Sequence, residues 1–302
     1  MQDLTCFMSP KRARNSRSST GKHLSMVNRS FLNINRLSQP TMAITSLNGK
    51  SRRVKYAIKA AIKSGLDALG IEIRRNRGGA IGTIADFLEN IRTRGFVPRG
   101  IIDVGANRGD WTRLALSIFP DASVIMIEPQ DEMQPYLSKL CSSVANCQHV
   151  KAGAGRAAGE LVQTIWPDLN GSSFLPEADS SQLKSGKQRR TPIVTIDSLL
   201  CGTYPKFVPD LIKLDIQGFE LEALSGANTT FGRTEVFVME TSLFGFLPGQ
   251  PITREVISFM FERGYELYDI TGYQRRPFDG ALGQVDLAFV KSEGRFRSEA
   301  RW

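Results

Sequence analysis

Short apolar runs alternate with helix-like segments from about residue 83 to about residue 245, and this alternation is what most constrains the fold. Runs this short and this apolar are typical of strands that helices cover on both faces. Alternating strands and helices predict an α/β protein with a mostly parallel, doubly wound sheet. The predicted strands are residues 100–104, 123–127, 148–150, 211–214 and 236–239.

The last part of the chain has a different pattern. A helix over 253–263 is predicted to end at Gly264, and two further strands, 265–270 and 285–290, are joined by a loop that contains Gly, Arg and Pro. Two strands that follow each other through such a loop are typical of a hairpin. We therefore expect a C-terminal antiparallel strand pair at the edge of the sheet.

The positive charge of the chain is confined to its first part. Residues 1–80 carry 16 Lys and Arg against 3 Asp and Glu, a net charge of +13, whereas residues 81–302 carry a net charge of −4. A body of slightly negative charge lacks the basic surface that nucleic-acid enzymes use, so no nucleic-acid partner is expected. The sequence contains neither an apolar run long enough for a membrane span nor a signal-peptide core, which predicts a cytoplasmic protein.

Three regions are predicted along the chain. Residues 1–50 are rich in Ser, Asn, Arg and Lys and are predicted to be a disordered basic extension, and 78–302 are predicted to form the catalytic domain. Residues 51–77 contain a basic amphipathic helix over 52–69. This helix could contact the inner membrane surface peripherally through anionic lipids, or it could pack on the body and leave its basic face in water; we favour the second.

The clearest cofactor signal is the segment IIDVGANRGDWT, residues 101–112. Asp103 ends the first strand, Gly105 and Gly109 permit a tight turn, and Glu128 ends the second strand, where a carboxylate suits ribose hydroxyls. The turn lacks the middle glycine of the dinucleotide fingerprint G-x-G-x-x-G. Asp103 would also repel a pyrophosphate but could pair with an ammonium group. The turn therefore favours S-adenosylmethionine over a nicotinamide cofactor.

Two carboxylates are candidates for the chemistry. Asp215 ends the fourth strand and Glu240 ends the fifth, so both are predicted to lie at the rim where a bound donor would present its reactive group. Either could act as a general base, with Asp215 the first choice. The pair could instead hold a divalent metal such as magnesium or manganese, and the spacing does not decide between these roles.

Five segments taken together resemble the FkbM family of methyltransferases. They run in order through about residues 83–290, and the fourth is the most specific. The segments are DVGANRG at 103–109, IEP at 127–129, TIDSL at 195–199, LIKLDIQGFELEALSGA at 211–227 and VFVMET at 236–241.

The resemblance implies a Rossmann-like class I methyltransferase fold and a specific activity. The activity is methyl transfer from S-adenosylmethionine to a hydroxyl of a saccharide or other natural-product acceptor. The resemblance also implies that Glu128 binds the ribose, that the turn at 152–155 lies near the adenine, and that the polar loop at 170–173 faces donor or acceptor. The residues expected to line the amino-acid end of the donor are Asp103, Gly105, Ala106, Asn107 and Gly109.

Two other functions remain as alternatives at this stage. One is a nicotinamide-dependent oxidoreductase, which the glycine spacing disfavours. The other is a protein that binds the donor without catalysis and tethers a partner or a membrane through its basic helix. The sequence does not indicate the identity of the acceptor, the methylated position or the oligomeric state.

Overall fold

The computed structural model of the protein describes residues 82–301. The predicted disordered extension, 1–50, and the predicted basic helix within 51–77 lie outside the described residues and stay predictions. Within the described residues, no helix combines the length and the apolar character that crossing a membrane requires.

Helices and strands alternate as expected. The first third contains α1 (Ile84–Thr93), β1 (Gly100–Val104), α2 (Asp110–Ile118), β2 (Ser123–Ile127), α3 (Gln134–Ser143) and β3 (Cys147–Val150). The middle contains β4 (Gly153–Ala154), β5 (Gly159–Thr164), α4 (Ser180–Lys184), β6 (Gln188–Val194) and α5 (Ile196–Ser198). The last part contains β7 (Pro209–Leu214), α6 (Glu220–Ser225), β8 (Val236–Ser242), α7 (Thr253–Phe261), β9 (Tyr265–Arg275) and β10 (Leu282–Lys291).

Seven strands form the main sheet in the order β3-β2-β1-β7-β8-β10-β9. All neighbouring pairs are parallel except those of β10, which runs antiparallel to both β8 and β9. This arrangement confirms the predicted mostly parallel, doubly wound sheet with a C-terminal antiparallel pair. β10 lies between β8 and β9, so β9 is the edge strand.

Apolar side chains cover both faces of the sheet. Alternate residues of each central strand point to opposite faces, so that Ile101 and Leu211 lie in one core and Ile102 and Ile212 in the other. Helices on the two sides complete these cores. The central strands are therefore buried on both faces, which is why their sequences are almost continuously apolar.

Local sequence determines how α1 joins one of these cores. The helix begins after Thr83, whose hydroxyl accepts a hydrogen bond from the backbone N of Asp86 at 3.3 Å, as an N-cap does. Its buried residues Phe87, Leu88 and Ile91 recur at helical spacing. The apolar stripe places α1 against the sheet.

A second, three-stranded sheet in the order β4-β6-β5 was not predicted from the sequence. β6 pairs in parallel with β4 and antiparallel with β5. β5 and β6 carry mostly polar residues, and β6 contains Pro192, so neither has the apolar pattern of a buried strand. This small sheet follows β3 and brings the segment 163–174 towards the carboxyl ends of the main strands.

Candidate active site

A cavity of about 580 Å³ lies at the carboxyl ends of β1, β2, β7 and β8. Ligands of open α/β sheets bind at this end, where strand ends and helix N-termini converge. The cavity wall is mostly polar. Residues that line it include Gly105, Ala106, Asn107, Glu128, Gln130, Gln163, Asn170, Phe174, Lys213, Asp215, Gln217, Glu240, Gln274 and Gln284.

The glycine turn after β1 forms one wall. Gly105 has a φ of +76°, and a Cβ at this position would overlap the backbone carbonyl oxygen of Asp215. Only glycine allows the turn to pass this close to the end of β7. Asn107, with a φ of 49°, directs its backbone N towards Glu128 and its side-chain Nδ2 towards Asn170 Oδ1 at 3.1 Å.

Glu128 is buried at the end of β2 and faces the cavity. Its Oε2 accepts the backbone N–H of Asn107 at 2.8 Å, and its Oε1 accepts that of Gln130 at 2.9 Å. Burial raises the pKa of Glu128, and these two backbone hydrogen bonds oppose that rise. Each carboxylate oxygen keeps a second lone pair, so the group can still accept hydrogen bonds from a ligand hydroxyl.

Asp103 is paired within the protein. It is fully buried, it does not line the cavity, and its Oδ2 accepts a hydrogen bond from Thr112 Oγ1 at 2.6 Å. Its Oδ1 forms an ion pair with Lys213 Nζ at 3.2 Å. Both oxygens of Asp103 therefore have partners inside the protein, and its pairing with the ammonium of a donor stays a prediction.

Lys213 is the cation at the centre of the site, and sequence reasoning gave it no role. It lies opposite Asp103 in the register of β1 and β7, and its Nζ also donates to the carbonyl oxygen of Gly105 at 3.0 Å. Asp215 lies 3.6 Å away. Burial alone would lower the pKa of Lys213, but the carboxylates of Asp103 and Asp215 outweigh burial and raise it.

Gly109 also does not line the cavity. Its φ is +80°, and it precedes the first residue of α2. A Cβ here would lie 3.0 Å from Leu140 Cδ2 and 3.3 Å from a Leu137 methyl group. Gly109 therefore serves the start of α2 and its packing on α3, and its contact with the donor stays a prediction.

Asp215 and Glu240 both face the cavity and are bridged by one side chain. Gln217 Nε2 donates to Asp215 Oδ1 at 2.9 Å and to Glu240 Oε1 at 3.0 Å. Glu240 Oε1 also accepts from Gln284 Nε2 at 2.6 Å. Gln217 adopts a φ of 56°, in a turn whose backbone N–H groups at Ile216 and Gly218 are bound by the buried Glu220.

The carboxylates in this region perturb one another. Glu240 lies opposite Asp286 in the register of β8 and β10. Burial, together with the charges of Asp215 and Asp286, raises the pKa of Glu240 to about 8. Burial and the charge of Asp215 raise the pKa of Asp286 to about 6. At neutral pH Glu240 is therefore mostly protonated, which makes it a hydrogen-bond donor rather than a base.

The donor set at this end does not fit a divalent metal. Across residues 82–301, no three His, Cys, Asp or Glu side chains are grouped as metal ligands. Glu240 Oε1 instead accepts two carboxamide N–H bonds, and Asp215 Oδ1 accepts a third. Amide donors therefore bind Asp215 Oδ1 and Glu240 Oε1, and the Lys213 ammonium lies 3.6 Å from Asp215 Oδ2, where a second cation would be repelled.

Two predicted loops lie on the cavity wall. Residues 152–154, which the family resemblance placed near the adenine, and residues 170–172 of the polar loop both line the cavity. Sequence reasoning missed the glutamines Gln130, Gln163, Gln217, Gln274 and Gln284. Of these, Gln130 and Gln217 carry a sequence signal, because each lies two residues after the carboxylate that follows a strand.

Curated relatives are similar over part of their length. Methyltransferase sdnD of Sordaria araneosa is 26% identical over 155 residues, covering 42% of this chain and 60% of the relative. Methyltransferase 1 of Beauveria bassiana (strain ARSEF 2860) is 26% identical over 142 residues, covering 42% of this chain and 57% of the relative. The chain thus spans about three fifths of the length of the curated relatives it matches.

A solved structure is also similar. The methyltransferase FkbM of Methylobacillus flagellatus KT is 15% identical, with a TM-score of 0.40, and the match covers 63% of this chain and 43% of that one.

The family comparison covers the site itself. The family described as Methyltransferase FkbM domain matches residues 103–267, which is more than half of the 302-residue chain. The matched segment begins at the end of β1 and includes the glycine turn, Glu128, Asp215 and Glu240. The resemblance in the sequence motifs is confirmed, and the chain belongs to the family of methyltransferases that carry an FkbM domain.

Proposed function

We propose that the protein transfers a methyl group from S-adenosylmethionine to an alcohol oxygen of a saccharide or other natural-product acceptor. The observation that carries this proposal is the charge of the cavity wall. Glu128 lies at one end, Asp215 lies at the other beside the mostly protonated Glu240, and Lys213 is already engaged by Asp103. A cavity with these carboxylates suits a cationic donor better than a pyrophosphate.

The donor end is supported by the residues around the glycine turn. Glu128 would accept the two ribose hydroxyls, because backbone amides already orient both of its oxygens. Gly105, Ala106 and Asn107 would hold the amino-acid part of the donor, and 152–154 would lie beside the adenine. When bound, S-adenosylmethionine supplies an electrophilic methyl group on a sulfonium.

The acceptor end is supported by Asp215 and its neighbours. Asp215 would take the proton from the acceptor hydroxyl as the new O–CH₃ bond forms and the S–CH₃ bond breaks. Gln217 holds Asp215 and Glu240 in one hydrogen-bonded group. Protonated Glu240 would donate to a second acceptor oxygen and so orient the acceptor. A positioned base contributes about 10²–10⁴-fold to such a reaction.

The experiment separates donor binding from turnover. We expect Asp215→Asn to bind S-adenosylhomocysteine within about threefold of wild type by calorimetry, and to lose about 10²-fold or more in activity if a base is removed. Activity is followed as S-adenosylhomocysteine release with a panel of glycosides and macrolide alcohols. Asp121→Asn, at an exposed residue before β2, is the matched control. Normal turnover by Asp215→Asn would remove Asp215 from the base role.

The donor assignment has its own test. Glu128→Gln keeps the shape of the side chain but removes its charge and replaces one of its two accepting oxygens by an NH₂ donor. We therefore expect S-adenosylhomocysteine to bind at least about tenfold more weakly, a loss of about 1.4 kcal/mol. Unchanged affinity would refute the ribose assignment. Binding of a nicotinamide dinucleotide instead of S-adenosylhomocysteine would overturn the proposed function as a whole.

The non-catalytic tether remains a separate proposal, because the basic helix over 52–69 lies outside the described residues. Flotation with anionic liposomes, using the chain with and without residues 1–77, tests it. If both chains float equally, the basic segment is not a membrane tether.

A further inference from the structure

Large apolar side chains are exposed beside the mouth of the cavity. They belong to the loop after β8 and to the turn between β9 and β10, and we call them the apolar rim. Single exposed apolar residues are common on protein surfaces, whereas a contiguous group of them is typical of a binding surface. The rim consists of Leu243, Phe244, Phe246 and Phe278, with exposed fractions of 37%, 37%, 46% and 88%.

The rim is continuous with the cavity. The backbone N of Leu243 donates to the carbonyl oxygen of Gly283 at 2.8 Å, and the next residue, Gln284, lines the cavity. On β9, Gln274 lines the cavity only two residues before Arg276, a distance of about 7 Å along an extended strand. A ligand that fills this end of the cavity can therefore reach the rim.

The loop that carries the rim is held in place without a ligand. Gln250 Oε1 accepts the backbone N–H groups of Phe246 at 2.9 Å and Leu247 at 3.1 Å. Gln250 Nε2 donates to Ser242 Oγ at 3.0 Å, at the end of β8. Because these bonds fix the loop, a ligand that binds there pays less ordering entropy.

Arg276 joins the two parts of the rim without adding net charge. Its guanidinium lies 4.0 Å from the centre of the Phe244 ring and 5.6 Å from that of Phe278. Its Nε also donates to Asp279 Oδ1 at 2.7 Å, and the two form an ion pair. A neutralised arginine between phenylalanine rings suits an apolar ligand rather than an anionic headgroup.

We propose that the apolar rim holds the apolar body of an amphipathic acceptor, whose hydroxyl-bearing head enters the cavity between Gln274, Gln284 and Glu240. The two carboxamides offer both donors and acceptors to a polyhydroxylated head. The proposal rests on the proposed function and narrows its acceptor class to molecules with a polar head and an apolar body.

The test compares two probes that share one head. Octyl β-D-glucoside, below its micelle concentration, and methyl β-D-glucoside are titrated into the full chain saturated with S-adenosylhomocysteine. We expect the octyl compound to bind at least about tenfold tighter. In the triple variant Phe244→Ala, Phe246→Ala and Phe278→Ala, the ratio of the affinities for the octyl and methyl glucosides is expected to fall below about threefold. A threefold ratio corresponds to a difference of about 0.7 kcal/mol in binding free energy between the two glucosides.

A matched control distinguishes the effect of losing the rim from the effect of losing any exposed phenylalanine. Phe261, at the end of α7, is 63% exposed and does not line the cavity. Phe261→Ala is expected to keep the wild-type ratio. Thermal unfolding and S-adenosylhomocysteine binding of the triple variant are expected to match wild type, because the replaced rings are exposed.

Several results would overturn the proposal. The first two are that the wild-type protein binds the two glucosides equally well, or that it binds neither. The third is that Phe261→Ala lowers the affinity ratio as much as the triple variant does. The fourth is that the wild-type protein sediments as a dimer and the triple variant does not. The last result would assign the rim to a second copy of the chain. Failure to bind S-adenosylhomocysteine would instead refute the proposed function, so the two failures are distinguishable.

Discussion

Removing the charge of Lys213 is the most informative single change to the described domain. Asp103 is fully buried and Lys213 is 9% exposed by side chain, and their ion pair measures 3.2 Å. Taking one partner from a buried pair costs about 3–5 kcal/mol, because the other charge stays buried without compensation. Lys213→Met keeps the unbranched apolar stem of the side chain and removes the ammonium, so its cost reflects mainly the lost charge rather than a cavity.

The expected loss is large enough for routine measurement. For a domain of this size, each kcal/mol lowers the unfolding temperature by about 2–4 °C, so Lys213→Met is expected to unfold about 6–20 °C below wild type. Lys291→Met is the control. Its ion pair with Glu235 measures 2.8 Å but is about a quarter exposed on both sides, which predicts a loss of about 1 kcal/mol or less.

A double variant tests the cause. Asp103→Asn combined with Lys213→Met removes both charges and keeps an oxygen that can accept the hydrogen bond from Thr112. We expect urea unfolding to show that the double variant recovers at least half of the stability lost by Lys213→Met. The reasoning is refuted if the single variant loses less than about 1 kcal/mol, or if the double variant is no more stable than the single one.

Two further predictions concern the same end of the sheet. Gly105 and Gly232 both have a φ of +76°, so replacing either by alanine is expected to cost about 1–2 kcal/mol of stability through backbone strain. Only at Gly105 would the added Cβ overlap a backbone oxygen, so Gly105→Ala is expected to lose about 1–3 kcal/mol more than Gly232→Ala in urea unfolding. Equal losses in the two variants would contradict the steric argument. Burial raises the pKa of Glu240 from 4.5 to about 8, so its contribution to stability is present below pH 4.5, falls as pH rises from there and is lost by about pH 8. Glu240→Gln is expected to remove this decline, up to about 1.4 kcal/mol per pH unit, and parallel stability curves for both proteins would disprove it.

The strands that could be predicted from the sequence are those whose sequences are governed by burial. β1 and β2 match their predicted bounds because every residue or nearly every residue is buried, which produces a continuous apolar run. β9 extends to Arg275, five residues beyond its predicted end. The prediction stopped short because an edge strand buries few of its side chains, so the end of β9 has the polar sequence that is typical of a loop. The polar β5 and β6 gave no signal for the same reason.

The residues of the candidate site also fall into two groups, those that the sequence could predict and those that it could not. A carboxylate directly after an apolar run can be placed at the carboxyl end of a strand, and Glu128 and Asp215 were found by this rule. The partner of Asp103 could not be found, because Lys213 lies 110 residues later in the sequence and the pairing depends on the register of β1 against β7. A charge that seemed available to a ligand is neutralised by a contact that only the tertiary structure creates.

The reversed direction of β10 has a consequence for how this domain can diversify. Because β10 runs against β8, the turn at 276–281 returns to the same edge as the loop at 243–252. The glycine turn, Glu128 and the loops at 152–154 and 170–172 come from an earlier, separate part of the chain. Under the proposed function, two short surface segments can therefore be exchanged between relatives to change the preferred acceptor, while the residues proposed to bind the methyl donor stay the same.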